Sequence, residues 1–127
     1  MLSVETDGVR VTVESFFVEE QSDPAESHYA FAYRITIANE GTARVQLRRR
    51  HWIITDGNGE VREVEGPGVV GQQPMLDAGA QHTYTSGAIL PTPYGTMEGT
   101  YEMHGVGGRV FKAQIPRFRL QVPGVLQ

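Results

Sequence analysis

Three glycines, Gly66, Gly68 and Gly71, have the spacing G-x-G-x-x-G, which is typical of a loop that binds the phosphates of a dinucleotide. In such a site a helix follows the glycines, because its N-terminus holds the pyrophosphate. Here Pro74 and the turn after Asp77 leave too little chain for a useful helix. No acidic residue stands about 20 residues further on, and no Gly-Lys-Ser/Thr follows. The sequence therefore predicts neither a dinucleotide site nor a Walker-type loop.

Two interpretations of the glycine stretch remain open. In the one we favour, the glycines supply positive φ angles and close packing in a loop between strands. In the other, successive backbone amides form a small nest for an anion such as phosphate or pyrophosphate. The residues of that nest would be Gly66, Gly68, Val69, Val70 and Gly71.

A basic run, Arg48, Arg49, Arg50 and His51, is the natural partner for such a nest. Guanidinium groups match the oxygens of phosphate, and an imidazole can donate one further hydrogen bond. The same residues are equally typical of a solvated strand edge, where charge discourages aggregation between sheets. We favour the strand edge and keep anion binding as the alternative.

Metal and nucleophile chemistry find little support in the sequence. No two of the four histidines are separated by two to four residues, so no local metal-binding pair exists. The chain has no cysteine, which excludes disulfides, thiol catalysis and cysteine-ligated metals. No G-x-S-x-G elbow accompanies the serines. We predict no enzyme, no catalytic residue, no metal site and no cofactor.

Length and charge narrow the class further. A chain of 127 residues is predicted to be one domain, residues 1–127. A net charge of −4 is unlike that of a nucleic-acid binder with a broad basic surface. The apolar runs are far shorter than a membrane span, and the first residues lack the pattern of a signal peptide. We therefore expect a cytoplasmic protein that binds neither nucleic acid nor membrane.

The elements that must position these residues are β-strands. Apolar residues recur at every second position, for example Val9, Val11 and Val13, and turn residues punctuate the chain. About eight short strands without crossover helices predict an antiparallel two-sheet sandwich rather than a βαβ fold or a small barrel. The apolar parity reverses between Leu47 and Trp52, which predicts a bulge or a strand break within Arg48–His51.

Several segments together resemble the bacterial ApaG family in their order and spacing. They are YAFAYRITIANEG, VQLRRRHWIITDGNG, EVEGPGVVGQQPML, YTSGAIL, GTMEGTYEM and IPRFRL. The resemblance runs from Val4 to Pro123 and implies an immunoglobulin-like or fibronectin-III-like sandwich. Related domains occur in a DNA-polymerase-delta-interacting protein and in certain F-box proteins, where a binding role is attributed to them. The family is linked to cobalt tolerance and magnesium flux, and the glycine motif has been discussed as a phosphate or pyrophosphate site.

These observations lead to a ranked set of functions. The first is a non-enzymatic module that binds a protein partner, or a second copy of itself, through a sheet face or edge. The alternative is a binder of a small anion (phosphate, pyrophosphate or nucleotide) that uses the Gly66–Gly71 loop with Arg48–His51. A metal-dependent hydrolase is a distant third, because no catalytic constellation is present.

Overall fold

The structure is a computed structural model that describes residues 1–124, so the last three residues of the predicted domain lie outside it. Within the described residues the chain forms nine β-strands and three short 3-10 turns, and no α-helix. The strands are β1 Leu2–Thr6, β2 Val9–Phe17, β3 Tyr29–Asn39, β4 Val45–Asp56, β5 Val61–Pro67, β6 Met75–Leu76, β7 Gln81–Leu90, β8 Tyr94–Gly105 and β9 Val110–Gln121. The 3-10 turns span Glu19–Gln21, Pro24–Glu26 and Val106–Gly108.

The strands form two antiparallel sheets packed face to face, which confirms the predicted sandwich. One sheet has the order β1-β2-β3-β7 and the other β5-β4-β8-β9, with β6 pairing with the start of β4. The apolar residues of alternating positions meet between the sheets. Trp52 lies at the centre, with its ring centroid 5.3 Å from that of Tyr33 and 6.0 Å from that of Phe118. These three aromatic residues thus form the centre of the core.

The predicted bulge in β4 is present and decides where the arginines point. The register with β8 shifts between Leu47 and Arg49, so the strand gains one residue there. Before the bulge Val45 and Leu47 face the core, and after it Trp52 and Ile54 do. Because Arg50 shares the parity of Trp52, its side chain lies on the core side of the sheet.

In the C-terminal segment the apolar alternation of the sequence predicts two strands divided by Pro116, one with Phe111, Ala113 and Ile115 and one with Phe118, Leu120 and Val122. The structure differs from this prediction and has one continuous strand, β9, that runs through Pro116. Pro116 is tolerated because β9 is an edge strand and its register with β8 shifts between Met97 and Gly99. β1 and β6 are further strands that the apolar pattern did not indicate.

The two open sides of the sandwich are not alike. On one side β1 lies against β9, and the amide of Gln114 donates to Thr6 Oγ1 at 3.1 Å. On the other side the edge strands β5 and β7 belong to opposite sheets and border a cleft. Arg50, whose side chain lies on the core side, is among the residues that line this cleft.

Candidate functional site

The glycine stretch forms a tight two-residue turn at the end of β5. Val69 and Gln72 exchange both backbone hydrogen bonds, at 2.8 and 3.0 Å, across Val70 and Gly71. Both central residues have positive φ, +46° at Val70 and +76° at Gly71, which is the signature of a type I′ turn. The fully buried Val69 anchors the turn to the core, while Val70 is exposed. The residues after the turn lead into β6, so no helix follows the glycines, as predicted.

The three glycines of the motif have three different structural roles. Gly66 lies opposite Arg50, and a Cβ there would stand 3.1 Å from the arginine Nη1. Gly68 has a φ of +65°, and its Cβ would stand only 2.3 Å from the carbonyl oxygen of Gln72. At Gly71 only the positive φ matters, since a Cβ would meet no atom within 4 Å. The motif therefore serves the turn and leaves space for the side chain of Arg50.

Most polar groups of the turn are already used within the chain. The amide of Gly68 donates to the carbonyl of Arg48 at 2.9 Å. The amides of Val69 and Gln72 each donate to the carbonyl of the other residue. Within residues 1–124 the amides of Val70 and Gly71 have no such partner. An anion nest here would consist of these two amides at the tip of the turn. Anion binding by the loop stays a prediction.

The side chains of the basic run are divided by the bulge, and among them only that of Arg50 contacts the glycine loop; Arg48 meets the loop through its backbone carbonyl. Arg50 Nη1 donates to the carbonyl oxygens of Pro67 and Gly68 at 2.9 and 3.0 Å. Arg48 donates to the Gln46 amide oxygen. His51 Nε2 lies 2.8 Å from a carboxylate oxygen of Glu63.

Arg49 lies near a different acidic group, Glu102 on β8. A hydrogen bond with His104 lowers the pKa of the Glu102 carboxyl, and the nearby charges of Arg49 and Lys112 act in the same direction. The structure thus separates the side chains of the four residues that the sequence grouped. The side chain of Arg50 contacts the glycine loop, whereas those of Arg48, Arg49 and His51 bond or lie near other groups.

The cleft between β5 and β7 has a volume of about 230 Å³ and a polar interior. Its lining residues are Tyr33, Arg50, Trp52, Ile54, Arg62, Val64, Ser86, Gly87, Ala88 and Met97. Arg62 pairs with the buried Ile54 across β4 and β5, so its side chain lies on the inner face of its strand. Sequence reasoning missed Arg62 and Ser86. One signal in the sequence could have indicated Arg62. It lies two residues before Val64 on an alternating strand, so both side chains are expected on the same, inner face.

Tyrosine hydroxyls lie beside Arg50 behind the cleft. The hydroxyls of Tyr84 and Tyr101 hydrogen-bond each other, and Ser86 lies near Tyr33 in the lining of the cleft. Burial raises the pKa of all three tyrosines above the ordinary value, and the positive charge of Arg50 opposes the shift in each. The hydroxyls consequently stay protonated at neutral pH and can serve as hydrogen-bond donors.

Within residues 1–124 no strand pairs with the outer side of β7. The amide of Asn39 donates to the carbonyl of Ala80, which fixes the alternation of the β3–β7 ladder. By that alternation the even residues of β7 bond β3, and the odd residues direct their amides and carbonyls away from the sheet. Those odd residues are Gln81, Thr83, Thr85, Gly87 and Ile89.

Residues 1–124 contain no group of three or more histidine, aspartate or glutamate residues arranged to hold a metal ion. None of the helical segments among them has the length and apolar character needed to cross a bilayer.

Fold and site together define a small β-sandwich with one open edge and a polar, arginine-lined cleft beside it. Residues 19–105 match the family model described as the ApaG domain. The chain belongs to the ApaG family. It is 56% identical to the ApaG protein of Methylobacterium sp. (strain 4-46), over 98% of this chain and 96% of that protein. It is 54% identical to the ApaG protein of Pseudomonas aeruginosa (strain PAO1), over 93% and 94% of the two chains.

Solved structures agree with the assignment. A Bordetella pertussis protein described as an ApaA protein superposes with a TM-score of 0.89 at 50% identity, over 92% of this chain and 95% of that one. A protein from Archaeoglobus fulgidus shares the fold, with a TM-score of 0.55 at 9% identity, over 90% and 98% of the two chains.

Proposed function

We propose that this protein is a non-catalytic binding module that takes an extended segment of a partner protein as an additional strand on β7. The observation that carries the proposal is the composition of β7. Its ten residues, QHTYTSGAIL, include no proline and no aspartate, glutamate, lysine or arginine. Edge strands of natural sheets normally carry such residues, because an unprotected edge pairs with other chains.

The other edge strands have these protective residues. β5 contains Arg62, Glu63 and Glu65 and ends at Pro67. β9 contains Lys112, Pro116, Arg117 and Arg119, and β1 contains Glu5. β1 and β9 also lie against each other, which limits access to both. Since three of the four edges are protected, the open character of β7 is specific to that strand and favours a binding role.

The surroundings of β7 suit a peptide strand. The outward amides and carbonyls of alternate residues would provide main-chain hydrogen bonds, which supply affinity in strand addition. At one end of the strand Ile89 is 56% exposed and lines a groove together with Val61, which is 61% exposed. Exposed apolar side chains beside an open edge are the kind of contact that fixes a partner's register.

The proposal also accounts for the family's link to cobalt tolerance and magnesium flux. In this proposal the partner protein, and not the module itself, interacts with divalent cations.

Selection of short random peptides displayed on phage against the full-length protein tests the proposal. Thr85→Pro removes one outward amide and places the proline ring where an added strand would lie, without removing a β3–β7 hydrogen bond. Thr85→Val keeps the amide and the branched side chain and is the matched control. We expect the wild type and Thr85→Val to bind the selected peptides, and Thr85→Pro to lose at least about tenfold in affinity.

Circular dichroism and urea unfolding would verify that both variants remain folded. A folded Thr85→Pro protein that binds every selected peptide as tightly as Thr85→Val would overturn strand addition at β7. Failure of the wild type to enrich any peptide would do the same.

A further inference from the structure

The cleft beside β7 contains positive charge that nothing in its lining neutralises. Arg50 and Arg62 both line it, and none of the other lining residues is acidic. Some arginines elsewhere on the surface do have carboxylate partners: Arg10 bonds Glu40 at 3.0 Å and Arg34 bonds Glu14 at 2.9 Å. Within residues 1–124 neither Arg50 nor Arg62 forms an ion pair. The cleft therefore has the charge of an anion site without an internal anion.

The guanidinium of Arg50 is held in place before any ligand arrives. Its Nη1 is fixed by the carbonyls of Pro67 and Gly68, and the missing side chain of Gly66 leaves room for the group. A positioned arginine fork loses less conformational entropy on binding than a mobile one. Arg62, in contrast, is exposed, and its side chain has no hydrogen-bond partner among the described residues. Its guanidinium can therefore adjust to a ligand.

A strand added to β7 would bring its own side chains to this cleft. Side chains of paired strands alternate between the faces of a sheet, and residues opposite each other lie on the same face. A residue placed opposite Ser86 would therefore face inward, as Ser86 does, toward the space that Arg50 and Arg62 border.

We propose that the segment bound at β7 carries an aspartate or glutamate whose carboxylate enters the cleft and binds Arg50, with Arg62 closing over it from β5. The partner is thus an extended acidic peptide segment, and the inference rests on the strand addition proposed above. The Ser86 hydroxyl lies in the same cleft and offers a further donor to a carboxylate.

The test repeats the phage selection with wild-type protein and with Arg50→Gln, Arg62→Gln and Arg119→Gln variants. Arg119 lies on β9, at the opposite edge of the same sheet from β5, so its replacement controls for the loss of one positive charge. We expect wild-type and Arg119→Gln proteins to select peptides with aspartate or glutamate at one fixed position. Arg50→Gln and Arg62→Gln should lose that preference.

Synthetic peptides from the wild-type selection provide the quantitative arm. Changing the selected glutamate to glutamine should weaken binding to the wild type about tenfold or more, and binding to Arg62→Gln far less. Because Arg50 also stabilises the glycine loop, Arg62→Gln and the peptide change keep the test valid if Arg50→Gln folds poorly. The wild-type affinity for the acidic peptide should also fall with added salt.

The outcomes separate the two proposals. Peptides that bind in a Thr85-dependent way but show no acidic preference would overturn the cleft assignment and leave strand addition standing. An acidic preference that Arg62→Gln and Arg119→Gln reduce equally would also overturn it, since that result reflects overall charge. Peptides whose binding ignores Thr85→Pro would overturn strand addition itself, and the cleft assignment with it.

Discussion

Replacing Gly68 with alanine should destabilise this protein far more than the same change at the other two glycines of the motif. Gly68 combines a φ of +65° with a position where a Cβ would lie 2.3 Å from the carbonyl oxygen of Gln72. Real Cβ atoms do not approach an oxygen so closely, and a backbone carbonyl cannot rotate away as a side chain does. The turn that includes Val69 and Gln72 must therefore open.

The size of the effect follows from these contacts. Placing alanine in the left-handed region costs about 1–2 kcal/mol. Opening the turn removes the two hydrogen bonds between Val69 and Gln72, each worth about 1 kcal/mol. The free energy of unfolding should thus fall by about 3–4 kcal/mol, a large share of the roughly 5–15 kcal/mol typical of a domain.

Gly71→Ala and Gly66→Ala are the matched comparisons. Gly71 has the same positive φ but open space around it, so about 1–2 kcal/mol is expected. At Gly66 a Cβ would lie 3.1 Å from Arg50 Nη1, so the guanidinium need shift only slightly, and the cost should be about 1 kcal/mol or less.

Urea unfolding followed by the fluorescence of Trp52, the single and deeply buried tryptophan, measures all three variants. Equal losses at Gly68 and Gly71 would refute the argument from the Gln72 carbonyl. Unchanged stability in all three would show that the glycines are not needed for the turn.

Two further predictions concern strain and titration. Val70 is an exposed branched residue with a φ of +46°, a conformation that asparagine adopts more readily. Val70→Asn should therefore raise the free energy of unfolding by about 1 kcal/mol and the melting temperature by about 4 °C. A lower melting temperature in calorimetry would contradict this prediction. Burial raises the pKa of Tyr84 and of Tyr101, so stability is fully present below the unfolded value of about 10 and is lost as the pH rises toward the folded value. The loss should be up to about 1.4 kcal/mol per pH unit per tyrosine, and Tyr84→Phe should reduce the slope of unfolding free energy above about pH 10; an unchanged slope would argue against the buried pair as its source.

The sandwich could be predicted because strand periodicity is a local property of the sequence. The alternation of Val9, Val11 and Val13 with polar residues indicates a half-buried strand, whichever other strand it pairs with. The reversal of parity before Trp52 likewise predicted a bulge or a break, and the structure has the bulge within β4. The break assumed at Pro116 was wrong because proline is excluded only from central strands, and whether β9 is an edge is decided by the sheet order.

The cleft was beyond such reasoning because it depends on contacts between distant segments. The orientation of Arg50 follows from the bulge, but its neighbours follow from the β4–β5 register and from the turn that returns Pro67 and Gly68 to it. β7 is an open edge because among the described residues it pairs only with β3. This depends on the order of the strands in the sheet, which no local sequence pattern predicts.

The glycine motif and the arginine run, which first suggested a nucleotide site, are connected in a different way. The loop presents carbonyl oxygens, not amides, to Arg50, and these oxygens bind the guanidinium rather than a phosphate. Because one nitrogen is held by the loop, the rest of the fork keeps a fixed position on the core side of β4, among the residues that border β7. In this arrangement Gly66 and Gly68 act on the cleft through Arg50, so a glycine pattern that is usually associated with direct ligand contact here positions a side chain instead.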